Sequence, residues 1–113
     1  WIMDFEPIFG SNSNGRFVRY SNSMLYCERV VGVKIEFPED SANYSVPAPY
    51  ADWTYPAVYV SQPVVQVDAC GRVVLRFRNI QYSSAYSLEA SNWDNTVIMD
   101  GVLQYTASGV WYF

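Results

Sequence analysis

Met24-Leu25-Tyr26-Cys27-Glu28-Arg29-Val30-Val31-Gly32-Val33-Lys34-Ile35-Glu36-Phe37 is the stretch from which the rest of the chain can be read. Val31, Val33, Ile35 and Phe37 share one parity, while Lys34 and Glu36 share the other. That period of two is the mark of a strand with one face on a core and one in solvent. Gly32 interrupts the polar face and marks either a bulge or a close approach of another backbone.

Towards the N-terminus, Arg16 to Tyr20 forms a short strand closed by Ser21-Asn22-Ser23, and Gly10 to Gly15 is a turn rich in Ser and Asn. Trp1 to Phe9 is apolar at intervals and broken by Pro7. Because the first residue is Trp, the sequence reads as processed, excised or incompletely known at its start. Beyond Phe37 the character changes. Pro38, Pro47, Pro49 and Pro56 each lack a backbone donor and restrict the preceding residue, which predicts a long Pro/Tyr-rich loop at about 38–60.

Val64 to Val67 and Arg72 to Phe77 are expected as two strands joined in a hairpin by Asp68-Ala69-Cys70-Gly71, a type I turn followed by Gly in the left-handed region. Asp100-Gly101 predicts a second, two-residue hairpin that sets Met99 against Val102 and Ile98 against Leu103. Ser108-Gly109 predicts a third turn, returning the chain through Trp111 to Phe113. Both faces of this last segment are apolar, so it is either covered on both sides or docks another chain on one.

No window carries an apolar stripe at helical spacing, so almost no helix is expected. The pattern predicts one all-β domain over residues 1–113: an antiparallel β-sandwich, jelly-roll-like, with a small barrel as the alternative. With 113 residues, half of them apolar and 16% charged, the chain can build one core and falls outside the disordered class. No apolar run approaches the roughly 20 residues that span a bilayer as a helix.

The chemistry is defined first by what is missing. There is no histidine, which removes His-activated nucleophiles and the commonest metal ligand. No glycine-rich phosphate cradle is present, and Asp94, Asn95 and Asp100 lack the alternation of a calcium loop. No cofactor and no metal is implied. A formal charge of −4 gives no footprint for nucleic acid. Turn carboxylates such as Glu39, Asp40 and Asp52 are read as backbone caps before they are read as a glycosidase pair. Cys27 and Cys70 form either one disulfide or two free thiols.

The remaining constellation is aromatic. Tyr44, Tyr50, Trp53, Tyr55 and Tyr59 lie in or beside the proline-stiffened loop, and Trp111 and Phe113 lie at the end of the chain. The loop rings could stack on sugars, with Asp52, Asn43 or Asp94 bonding hydroxyls, or could anchor a neighbouring subunit. They could equally fold back to complete a small core. These features together predict a non-catalytic structural or assembly subunit of a larger particle or fibre, such as a virion decoration, capsid or tail component. It would be a homo-oligomer located on a virion or outside the cell. The alternative is a carbohydrate-binding module that uses the aromatic loop on a surface glycan.

Overall fold

The computed structural model describes residues 6–36, 43–46, 50–69, 73–92 and 98–112. Every regular element among them is a strand, and the strands build an antiparallel β-sandwich. The first sheet has the order β1-β2-β3-β9-β6, formed by β1 (Ile8–Asn12), β2 (Gly15–Arg19), β3 (Met24–Glu36), β9 (Ile98–Val110) and β6 (Val64–Ala69). In the second sheet β8 (Ser84–Asn92) is the middle strand. It carries β7 (Val73–Ile80) on one side, and both β4 (Asn43–Ser45) and β5 (Trp53–Thr54) on the other.

The strand read first in the sequence is β3, and its parity holds: Leu25, Cys27 and Val33 are buried, whereas Val30, Gly32 and Lys34 are exposed. Local turns explain its neighbours. Ser13-Asn14 closes β1 on β2, with the Asn12 Oδ1 accepting from the Asn14 amide at 2.8 Å. Between β2 and β3, Ser23 takes a φ of 70° at the end of a three-residue loop, and the Tyr20 amide donates to the Met24 carbonyl at 2.9 Å. A residue in the left-handed region is what that loop length requires.

Three turn expectations are corrected. Asp100-Gly101 and Ser108-Gly109 are not turns, because β9 runs unbroken through both and pairs with β3 over thirteen positions, from Met24↔Val110 to Glu36↔Ile98. A long ladder outweighs a local dipeptide preference. Gly109 has a different reason to be glycine: a Cβ there would sit 3.0 Å from the Tyr59 ring and 3.2 Å from Pro63. Nor do the segments around Val64–Val67 and Arg72–Phe77 form a hairpin. β6, which ends at Ala69, pairs with β9 in the first sheet, and β7, which begins at Val73, pairs with β8 in the second; residues 70–72 lie outside the described residues. The hairpin that does exist there joins β7 to β8 at Tyr82-Ser83, where the Gln81 amide donates to the Ser84 carbonyl at 2.8 Å.

The core lies between the sheets. Leu25, Cys27, Leu103, Tyr105 and Ala107 face it from the first sheet, and Leu75, Phe77, Ala85, Leu88 and Ala90 from the second. Residues 53–59 supply Trp53, Tyr55, Ala57 and Tyr59 to the same cluster. Each large apolar side chain so buried contributes roughly 1.5–3 kcal/mol. Core-facing positions in β7 step from Phe77 to Ile80, and in β8 from Leu88 to Ala85, so both strands change parity at one level. Ser87, with a φ of 61°, sits at that change.

Candidate functional site

The aromatic loop was the leading candidate for a contact surface, and the structure gives its rings another task. Trp53, Tyr55 and Tyr59 are buried by their own chain. They continue a line of rings across the core. Phe77 approaches Tyr105 at 5.9 Å, Tyr105 stacks on Trp53 at 5.6 Å, Trp53 meets Tyr55 edge-on at 5.1 Å, and Tyr55 meets Tyr59 edge-on at 5.4 Å. Their polar tips are matched. The Trp53 indole donates to the Asn14 carbonyl at 2.9 Å, the Tyr55 hydroxyl to the Gln81 carbonyl at 3.1 Å, and the Tyr105 hydroxyl to the Tyr50 carbonyl at 2.9 Å. The expectation that Trp53, Tyr55 and Tyr59 are open to a sugar or a partner is therefore corrected, because short strands at one sheet edge leave a gap that these rings fill.

Burial pushes the Tyr105 phenol up to about 12 and raises Tyr55 and Tyr59 further. The Tyr59 hydroxyl finds no oxygen or nitrogen partner and faces the thiol of Cys27. Cys27 is a buried free thiol, its pKa also raised chiefly by burial. Tyr50 is half-buried against the core, and the Tyr44 backbone pairs with Ala90 at the edge of the second sheet. Cys70, Phe113 and the Tyr44 side chain lie outside the described residues. Trp111 is half-buried: its indole donates to the Tyr20 carbonyl at 3.1 Å, and the Arg19 guanidinium lies between the Trp111 and Phe17 rings at 5.3 and 4.8 Å.

Two other surfaces are open. The first is the outer face of the five-stranded sheet. Its register lines up Phe9, Val18, Tyr26, Ser108 and Val64 in one row, and Ser11, Arg16, Glu28, Thr106 and Gln66 in the next. Val30, Gln104 and Asp68 follow, then Gly32 beside Val102. Phe9 is 75% exposed, Val64 65%, Val30 55%, Val102 49% and Met24 39%. Arg16 and Glu28 form an ion pair on this face, and the Tyr26 hydroxyl lies 3.4 Å from Glu28. Burial first, and then that carboxylate, raises the Tyr26 pKa. A cavity of about 480 Å³ is lined by Phe9, Val18, Tyr26 and Glu28 among others.

The sequence carried a signal for this face that parity arguments passed over: Met24, Tyr26 and Val30 on β3 are apolar at the positions opposite to Leu25 and Val33. The apolar two-sidedness expected of the last segment is corrected, because the unbroken strand sets Gln104, Thr106 and Ser108 beside Val102 on the side away from the core. β9 is a central strand with Leu103, Tyr105 and Ala107 in the core and Val102 on the open side.

The second surface is a polar cleft of about 480 Å³ where β8 changes parity, lined by Ser45, Asp52, Arg78, Asn79, Ser87 and Glu89 among others. There the Asp52 Oδ1 accepts from the Ser87 amide at 3.3 Å, and Arg78 pairs with Glu89 at 3.3 Å. Among the described residues no three of Cys, Asp and Glu come together as metal ligands, and no helix is long and apolar enough to cross a membrane.

Fold and surface together define a class: an antiparallel β-sandwich with one large open sheet face. No protein-family model and no curated protein sequence matches the chain. Three solved structures similar to it in fold are of pyocin fibres. The chain is similar to a C-terminal part of the R1 pyocin fibre of P. aeruginosa, with a TM-score of 0.62 and 13% identity over 94% of this chain and 28% of that one. It is similar to the corresponding R2 pyocin fibre, with a TM-score of 0.56 and 15% identity over 94% and 26%. An N-truncated R1-type pyocin tail fibre aligns with a TM-score of 0.55 and 13% identity, over 94% of this chain and 87% of that one. The chain thus spans little more than a quarter of the first two structures. At these identities the likeness is one of fold.

Proposed function

We propose that this chain is a non-catalytic structural module of a fibre-like component in a larger, phage-tail-like particle, acting outside the cell and associating with other subunits of the same assembly. The observation that carries the reading is the likeness of fold over 94% of the chain to segments of pyocin fibres, one of which has nearly the same extent. An open sheet face on which Phe9, Met24, Val30, Val64 and Val102 are exposed supports it, since a protein that works alone seldom leaves a large apolar area uncovered. The absence of histidine from the sequence fits a role without acid–base chemistry. Light scattering across a concentration series, with electron microscopy of the same sample, tests it. A persistent homo-oligomer or filament is expected; a monomer at every concentration would count against the proposal.

A glycan is the second reading, and one feature favours it. The cleft at Asp52, Arg78, Asn79 and Glu89 offers converging donors and acceptors of the kind that fix sugar hydroxyls. In this reading the buried rings give only support. A glycan-binding screen comparing the chain with Asp52→Ala tests it, and binding that is unchanged by the substitution would exclude this cleft.

A further inference from the structure

We propose that the outer face of the five-stranded sheet, centred on Val30, Gly32 and Val102, packs against a second copy of this chain. The inference deepens the assembly reading and rests on it. Three observations carry it.

Size comes first. Phe9, Met24, Val30, Val64 and Val102 together expose on the order of 500 Å² of apolar side chain, at the upper end of what a monomer leaves open. Strand spacing and rise, applied to β3 and β9 and their shorter neighbours, give the whole face on the order of 700 Å². A stable pair of proteins buries about 800 Å² on each side. The face is therefore of the size that a whole protein partner covers.

Charge comes second. The chain carries −4 overall, so most ways of bringing two copies together set like charges against each other. On this face the described charged side chains are Arg16, Glu28, Lys34 and Asp68, two of each sign, and the first two are already paired. The register sets Glu36 and Asp100 at the same parity at the far end, where their side chains lie outside the described residues; the described part of the face is balanced in charge and interleaved with Thr106, Ser108, Gln66 and Gln104. That part sets no excess of like charge against its own copy.

Gly32 is the third and most specific observation. It is exposed on the open face, in the interior of a strand, where glycine costs about 0.5–1 kcal/mol relative to alanine. Its own chain does not require it. No positive φ is found there, and an added Cβ would meet nothing nearer than the Gly101 carbonyl at 3.9 Å. The missing side chain leaves a shallow notch flanked by Val30, Val102 and Lys34, into which a side chain of the second copy fits.

The test is sedimentation equilibrium on the chain and three variants, with circular dichroism melts on each. Val30→Lys places an unpaired charge in the contact and should raise the dissociation constant by about 100-fold or more. Gly32→Leu should weaken assembly comparably by filling the notch, while its melt, taken below the dissociation constant, stays at or above that of the parent. Should the lysine variant fold poorly, Val30→Thr, which keeps shape and strand preference, replaces it with a smaller loss expected. Tyr82→Lys, on the β7–β8 turn, should leave assembly unchanged. Oligomers indifferent to Val30→Lys and Gly32→Leu would overturn this interface and leave the assembly reading standing. A parent chain that stays monomeric would overturn both.

Discussion

Replacing Trp53 separates a core role from a contact role. The indole is fully buried, stacked on Tyr105, edge-on to Tyr55 and bonded to the Asn14 carbonyl. Truncation to alanine removes a ring of about 200 Å² at about 25 cal/mol per Å², or about 5 kcal/mol, at the top of the usual 3–5 kcal/mol for such changes. Leaving Asn14 without its donor adds about 1 kcal/mol. A domain of this size is stable by about 5–15 kcal/mol, so Trp53→Ala should fall close to the edge of folding. Trp53→Phe keeps most of the ring and should lose about 1–3 kcal/mol. Urea unfolding followed by circular dichroism reads both, at one fixed protein concentration because assembly itself stabilises. Tyr82→Ala, at an exposed turn, serves as control and should change stability by no more than about 0.5 kcal/mol. A loss below about 1 kcal/mol for Trp53→Ala would refute the argument, since a ring that can be deleted so cheaply is not enclosed.

Tyr55, Tyr59 and Tyr105 stay protonated in the fold, whereas the unfolded chain ionises them near pH 10. Stability should therefore be whole below about pH 10 and fall above it, through the Tyr105 value of about 12, by about 1.4 kcal/mol per pH unit for each phenol. A spectrophotometric titration should find these phenols ionising together with unfolding; smooth ionisation of all ten tyrosines in the folded chain would contradict it. Gly15→Ala should destabilise strongly, about 3 kcal/mol or more, because its Cβ would lie 2.2 Å from the Glu28 carbonyl at a φ of 133°, whereas Gly32→Ala should be neutral or stabilising in the monomer. Equal melting points for the two would remove the argument. In a Cys70→Ser background, Cys27 should resist an aromatic disulfide reagent in buffer and react fully in denaturant; prompt reaction of the folded chain would mean the thiol is not enclosed. Small-angle scattering of the assembled chain should show a greater cross-section with little gain in length, and a doubled longest dimension would point to end-to-end contact instead.

What the sequence made legible was whatever depends on alternation. The strand over Met24–Glu36, its buried parity and the turn between Arg19 and Met24 follow from period two and turn chemistry, whereas Gly10 to Asn12, expected in a turn, belongs to β1. What escaped was anything that alternation leaves degenerate. Val65 and Val67 on β6, and Leu75 and Phe77 on β7, face the core in the same rhythm whether the two strands pair in a hairpin or sit in opposite sheets. Period two fixes which side is inward and says nothing about which sheet. Asp100-Gly101 and Ser108-Gly109 misled for a related reason. The turn preference is local, and the thirteen-position pairing with β3 that overrides it is visible only once both strands are in place. The loop rings were legible as large and rigid but not as buried, because whether a loop covers its own sheet depends on the gap left by β4 and β5 on one side of β8.

That gap links core and surface. Two short strands, β4 and β5, share one flank of β8, and the space beside them is closed by Trp53 on β5 and by Tyr55 and Tyr59 from the chain that follows it. Rings committed to the core cannot serve as a contact platform, so the chain's capacity to bind must lie on what remains exposed. Among the described residues, Phe9, Met24, Val30, Val64 and Val102 are exposed together on the far side of the other sheet. Its direction matters as much as its size. The molecule measures 57 × 21 × 21 Å, and thirteen residues of β3 or β9 at about 3.4 Å each extend about 44 Å, so the long strands run along the long axis. An open face on those strands is a side of the rod and not an end. Copies joined through it lie next to one another, which thickens a fibre and stiffens it against bending, while its length must come from chain beyond this module or from other subunits.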